Sequence, residues 1–203
     1  SLASWRWASS MKALDFRTAV VSEVPVAMYG GPAIEKRCAM LGAESVAVFS
    51  PCEHYRYSLS RTWAPGPHAV WCMLNPSTAD ERENDPTITR VESFTRGMLR
   101  PDGKRYGGWT VVNLYAWRST DPMALRGRDD PVGPLNDEAI AWAFQNADIV
   151  ICAWGVYGSV RGPKVVAAAK AMKVPLYAMA FTKESIPRHP LYLAGKARPE
   201  RWQ

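Results

Sequence analysis

Residues 71–80, WCMLNPSTAD, begin as a buried strand and stop on a rigid turn. The surrounding apolar run AVWCML (69–74) is continuous rather than alternating, as expected of a strand covered on both faces of a sheet. Asn75-Pro76-Ser77 then presents an amide and a hydroxyl on a restrained backbone, with Asp80 just beyond. In an open α/β sheet, ligands bind outside the carboxyl ends of the strands, where loops and helix N-termini converge. That position makes the turn a candidate site, against the plainer reading in which Asn75 caps the next segment and Pro76 stiffens the turn.

Outward from this stretch the apolar runs follow a regular order. YRYSLSRTW (55–63) alternates aromatic or apolar with polar residues and predicts a strand with one solvated face. Asp85-Pro86 supplies a cap and a first-turn proline for a helix carrying Ile88, Val91, Phe94 and Met98 on one side. WTVVNLYAW (109–117) is the next strand, entered from the glycine turn Tyr106-Gly107-Gly108. NDEAIAWAFQNA (136–147) predicts a helix opened by an Asn cap and first-turn acids, and ADIVICAWG (147–155) a third buried strand. Residues 160–172, rich in Ala and Lys, predict a helix, and PLYAMAF (175–181) a fourth strand.

This alternation predicts an α/β fold with right-handed crossovers: a three-layer α/β/α sandwich on a central, mainly parallel four-stranded sheet. PAIEKRCAMLG (32–42) predicts a short helix closed by Gly42, and SVAVF (45–49) a short strand. Residues 1–52 are therefore read as an N-terminal extension and 53–203 as the main domain.

At 203 residues the chain fits one ordinary domain, and 47% hydrophobic with 22% charged residues argues against disorder or a fibrous architecture. The formal charge of +6 comes from 25 Lys plus Arg against 19 acids. Such an excess favours a polyanionic partner through counterion release, and equally describes a mildly basic soluble protein. Cys38, Cys52, Cys72 and Cys152 include no CxxC pair, so reduced structural thiols are expected. Cys52 and His54 are conceivable metal ligands, but His54, His68 and His189 show no ligand spacing, and neither metal nor cofactor is expected. No run approaches the roughly 20 apolar residues that span a bilayer, and the first residues lack the apolar core of a secretory signal. A cytoplasmic protein without membrane contact is the expectation. Met11 is a candidate start, the residues before it being either an artefact or an alternative initiation.

The predicted strands end on residues out of keeping with their interiors: Asn75-Pro76-Ser77, then Asn113 and Tyr115, then Trp154-Gly155. The fourth is followed by TKESIPRHPLYL (182–193), which holds His189-Pro190. In a parallel sheet these ends share one edge, so the residues can converge. A buried amide at Asn113 is costly unless satisfied, which favours a pocket role. His189 taken alone reads as a surface residue, and Trp154 as packing.

The blocks MLNPSTADERENDPTITR, GGWTVVNLYAWRSTDP, DPVGPLND, DIVICAWG and PRHPLYL resemble the bacterial family catalogued as domain of unknown function 1643, over roughly residues 53–194. A more distant resemblance is to the uracil-DNA glycosylase superfamily. It rests on Leu74-Asn75-Pro76-Ser77, Asn113 in VVNLYA, Trp154-Gly155 and His189-Pro190-Leu191, in that order. Met73 and Ser77 stand where that superfamily carries glycines, and the last loop lacks its Ser-Pro.

The resemblance implies a glycosylase-like fold and a DNA glycosylase-like function: recognition of a flipped, modified nucleobase and hydrolysis of its N-glycosidic bond. Asn75 would position the attacking water, Asp80 or Asp85 would act as general base, and His189 would donate a hydrogen bond to the departing base. Asn113 would read the base edge, in a pocket made with Leu74, Pro76, Ser77, Tyr115 and Trp154, and Trp117 is an alternative stacking residue. Arg56, Arg61, Arg118 and Arg188, with Arg90 and Arg161, would neutralise phosphates around the mouth. The partner would be DNA or a nucleotide carrying a modified base. Two rivals stay open: a non-catalytic module that senses a modified base or nucleic acid, and a nucleotide-directed hydrolase or transferase on the same scaffold.

Overall fold

The apolar run from Ala69 to Met73 is continuous because both of its faces are buried, Val70 and Cys72 in one core and Ala69, Trp71 and Met73 in the other. In the computed structural model, which describes residues 31–40 and 42–203, it is a central strand of one mixed eight-stranded sheet. The strands are β1 (Ile34–Met40), β2 (Ala43–Phe49), β3 (Arg56–Thr62), β4 (His68–Met73), β5 (Gly108–Asn113), β6 (Ile149–Cys152), β7 (Leu176–Ala178) and β8 (Glu200–Arg201). Their spatial order is β1-β2-β3-β5-β4-β6-β7-β8. The pairs β4–β5, β4–β6 and β6–β7 are parallel. The pairs β1–β2, β2–β3, β3–β5 and β7–β8 are antiparallel. The sheet is thus larger, and over most of its pairings more antiparallel, than the expected four-stranded one. Hairpins extend it at one side and the chain terminus at the other, and neither announces itself by βα alternation.

Helix α1 (Pro86–Gly97) lies on one face of the sheet, and α2 (Asn136–Gln145) and α3 (Gly162–Ala171) on the other. Successive strand residues alternate between these layers. Trp71, Trp109 and Val111 pack with Ile88, Val91 and Phe94 of α1, whereas Val70, Cys72 and Val112 pack with Ile140 of α2 and Val165 of α3. Each such large apolar side chain contributes roughly 1.5–3 kcal/mol when fully buried. The Trp71 indole N–H reaches Thr95 Oγ1 at 3.0 Å, and that hydroxyl donates to the Val91 carbonyl at 2.8 Å, so both buried polar groups are satisfied.

Helix α1 starts as expected. Asp85 Oδ1 accepts from the Ile88 N–H at 2.8 Å and Pro86 occupies the first turn. The expected Asn cap of α2 is corrected: Leu135 holds the cap position without a side-chain bond, and Asn136 sits inside the helix, fully buried. Its Nδ2 donates instead to the carbonyls of Asn113 and Leu114, at 3.0 and 3.1 Å, tying α2 to the end of β5.

The helix expected over 32–42 is β1, paired with β2 from Ile34↔Phe49 to Met40↔Ala43. Gly42, with φ of 72°, closes the hairpin. Its left-handed conformation serves a tight hairpin turn as well as it would a helix C-cap, which is why the glycine alone could not tell them apart. The expected solvated face of 55–63 is also absent: Arg56, Tyr57, Ser58, Leu59 and Arg61 are all buried. Residues 1–30 of the expected extension, Met11 among them, lie outside the described residues. Among the described residues, no helix is long and apolar enough to cross a membrane.

Candidate functional site

At the carboxyl ends of β4 and β6 the chain encloses a cavity of about 580 Å³, within the range that holds small-molecule ligands. The turn after β4 contributes Met73, Leu74, Asn75, Ser77 and Thr78, and the start of α1 contributes Asp85 to Ile88. The loop after β5 adds Ser119, Thr120 and Pro122, and the turn after β6 adds Trp154 to Tyr157. Thr182, Arg188, His189, Leu191 and Tyr192 close it from the loop after β7, and Arg56 of β3 reaches the inner wall. Segments separated by more than a hundred positions meet here because parallel strands deliver their following loops to one edge.

Asn75 Nδ2 donates to the carbonyls of Pro76 and Ser119, at 3.0 and 2.8 Å. Both amide hydrogens are thereby engaged in joining two loops, and the Asn75 carbonyl oxygen is the part of the side chain with capacity for a ligand or water. Asp85 has one oxygen in the α1 cap and a second carboxylate oxygen to offer the cavity. His189 is half-buried. Burial pushes its imidazole pKa below the ordinary value, an effect the Asp85 carboxylate opposes. The ring is therefore neutral at pH 7, with one nitrogen a donor and the other an acceptor.

Trp154 is 3% exposed and packs edge-on against Trp202, with centroids 5.9 Å apart. Its ring lies in a slot that requires glycine: a Cβ at Gly158 would come within 2.2 Å of the Trp154 ring, and one at Gly162 within 3.0 Å. Gly155, at φ of 70°, turns the chain out of the site beside His189.

Several expected site residues are placed elsewhere. Asn113 does not line the cavity. It pairs in register with Met73, which does, and its own side chain is fully buried with neither amide atom hydrogen-bonded. Tyr115 packs against the α2 side of the core, and Trp117 stacks with His54, Tyr55 and Arg128 outside the cavity. Pro76 is buried and contributes its carbonyl to the Ser119 N–H and to Asn75.

Asp80 is also outside. Burial acting alone would raise its pKa, but hydrogen bonds from the Arg82 and Glu83 N–H groups, with Arg118 and Arg61 nearby, outweigh it and hold the carboxyl below its ordinary range. An acid already accepting two bonds in its own turn is a poor base, which leaves Asp85 as the carboxylate of the cavity.

The arginines divide sharply. Arg61 is 1% exposed and donates to Ser45, the Ser60 and Asp80 carbonyls and Asn84, so it braces the core rather than meeting phosphates. Arg118 donates to the Glu53 carbonyl, Arg90 to the Leu193 carbonyl, and Arg161 to the Leu114 carbonyl and Asp137. Arg188 is exposed on the rim of the cavity as expected. Arg56 is at the cavity but on its inner wall, not its mouth.

Sequence reasoning missed the inner position of Arg56, the tie made by Asn136 and the glycine slot for Trp154. The available signal was a cation flanked by two tyrosines at the start of a strand, and the spacing of Gly155, Gly158 and Gly162 after a tryptophan. Among the described residues there is no group of three or more His, Cys, Asp or Glu placed to hold a metal ion.

Residues 56–191 match the model of the family described as Protein of unknown function (DUF1643). The chain belongs to the DUF1643 family. No curated protein and no solved structure matches the chain. The span shared with DUF1643 starts at Arg56 and reaches Leu191, so it takes in the whole cavity lining except Tyr192.

Proposed function

We propose that this DUF1643 protein is a glycosylase-like hydrolase that acts on a modified nucleobase, in DNA or in a nucleotide, by cleaving its N-glycosidic bond. The observation that carries the reading is the meeting of Asn75, Asp85, Trp154 and His189 in one cavity at the carboxyl edge of the sheet. The ordered resemblance of Asn75-Pro76, Trp154-Gly155 and His189-Pro190 to the uracil-DNA glycosylase superfamily supports it, as does the formal charge of +6.

In this reading the base enters beside Trp154, between the turn at Leu74 and Ser77 and the loop at His189. The Asn75 carbonyl oxygen orients a water, and Asp85 accepts its proton as the oxygen attacks the anomeric carbon. The carbon–nitrogen bond breaks with its electron pair moving onto the base, where the His189 N–H donates a hydrogen bond to the developing charge. A preorganised donor of this kind supplies about 3–4 kcal/mol. A neutral imidazole suits that role, because it donates without surrendering its proton outright.

The test is incubation with oligonucleotides and free nucleotides carrying uracil, oxidised or hypermodified bases, with chromatography of released base. Release from at least one substrate is expected, reduced by two orders of magnitude or more in His189→Ala. No released base across the panel would defeat the hydrolytic reading and favour a non-catalytic sensor of modified bases.

A further inference from the structure

We infer that Arg56 forms an oxyanion subsite on the inner wall of the cavity, so that the ligand carries a compact anionic group, phosphate or carboxylate, into its deepest part. The inference deepens the proposed reading and rests on the same cavity as a ligand site.

Arg56 lines the cavity yet is only 1% exposed, so its guanidinium belongs to the interior and not to the rim. Nη1 donates to the Ala79 carbonyl, while the buried Nε has no partner. A guanidinium presents its donors in a planar fork that matches the oxygens of carboxylate or phosphate. A buried cation with an unmet donor is unfavourable by itself. Burial accordingly lowers the Arg56 pKa to about 9, which still leaves it charged at pH 7. The Asp85 carboxylate offsets part of this penalty through space.

Arg61, on the same strand and equally buried, shows the structural alternative. Both of its terminal nitrogens are bonded within the protein, to Ser45, two backbone carbonyls and Asn84, although its Nε, like that of Arg56, has no partner. Arg56 bonds through Nη1 alone, so the second terminal nitrogen that Arg61 spends within the protein is left free at Arg56, beside a cavity whose wall also carries the hydroxyls of Ser77, Thr78 and Thr87. Helix α1, 12 residues long, begins at the same wall and adds the positive end of its dipole.

The placement constrains the substrate. A nucleotide flipped out of a strand leaves its phosphates at the mouth, beside Arg188. An oxyanion at Arg56 must therefore belong to the base, as a carboxylate-bearing modification, or to a free nucleotide that enters phosphate first.

Calorimetric titration of the full chain at pH 7 tests this with inorganic phosphate, acetate, a nucleoside and its 5′-monophosphate. Wild type is expected to bind phosphate or acetate saturably, and Arg56→Gln to bind it about tenfold or more weakly, the worth of one charge-assisted hydrogen bond. Arg56→Lys, which keeps the charge if the Gln variant does not fold, should bind weakly for want of the fork. Arg128→Gln, an exposed arginine outside the cavity, should bind as wild type does. A 5′-monophosphate that binds tighter than its nucleoside identifies the free-nucleotide source, and equal binding of the two identifies an acidic base. No saturable oxyanion binding by wild type, or wild-type binding by both Arg56 variants, overturns the inference. Oxyanion binding without base release would defeat the hydrolytic reading and leave the subsite standing.

Discussion

Two hollows of similar size lie at opposite ends of the same strands, about 580 Å³ at the carboxyl edge and about 610 Å³ at the amino edge. The second is walled by Pro65, Gly66, Pro67, Arg100, Asp102, Lys104, Arg105 and Asp148. Four of its five charged side chains, all but Lys104, are engaged within the protein. Arg100 lies 2.6 Å from Asp148 and 3.4 Å from Asp102, Asp148 also accepts from the His68 N–H at 2.7 Å, and Arg105 donates to the Arg96 carbonyl at 3.1 Å. At the carboxyl edge the balance is reversed: the Arg56 Nε is unpartnered, and Asp85 and Asn75 each spend only part of their capacity on the fold. Volume does not separate the two hollows, and unspent hydrogen-bonding capacity does. Within β3 a related contrast separates Arg56, bonded through one terminal nitrogen, from Arg61, bonded through both.

The sharpest break of this comparison exchanges one acid at each edge. Asp85→Asn should keep the α1 cap, since Asn caps as well as Asp, yet lower base release by about 10²–10⁴-fold. Asp148→Asn should leave release unchanged. Comparable losses in the two variants, read as initial rates on the best substrate, would erase the distinction between the edges.

A smaller effect is expected in stability. Arg61→Met strands the acceptors it served and should lose about 3 kcal/mol of unfolding free energy in urea. Arg56→Met, which removes a poorly paired buried charge, should stay within about 1 kcal/mol of wild type. Equal losses would mean that both arginines are structural.

The smallest effect sharpens the amino edge. Burial lowers the His68 pKa to about 4 from 6.5, the Asp148 carboxylate opposing, and its Nε2 lies 2.8 Å from Thr110 Oγ1. Between about pH 6.5 and about pH 4 the unfolded chain binds the extra proton, so stability is lost as pH falls through that window. His68→Gln should flatten that part of the pH–stability curve, read as unfolding free energy in urea between about pH 4 and about pH 7.

Much of this molecule could be read along the chain. The cap at Asp85, the apolar stripe of α1, the alternation of strand and helix from β4 to β7 and the convergence of Asn75, Trp154 and His189 rest on local patterns repeated at the right spacing. The misses have one cause in common. Gly42 fits either a helix end or a hairpin, Asn136 either a cap or an interior tie, and an arginine in a strand either a surface or a core, until the partner segment is known. Asn113 shows the same limit: strand alternation carried it to the cavity's edge of the sheet, but neighbouring side chains decided that it would be covered.

What the sequence alone determined was the succession of elements and the edge at which their ends would gather, because periodicity, caps and chain direction act over a few residues. Which arginine has both terminal nitrogens bonded within the protein and which keeps one for a ligand was decided only by the tertiary structure. Hydrogen-bond saturation is settled by groups brought together from distant positions, Ala79 for one guanidinium and Ser45, Asp80 and Asn84 for the other.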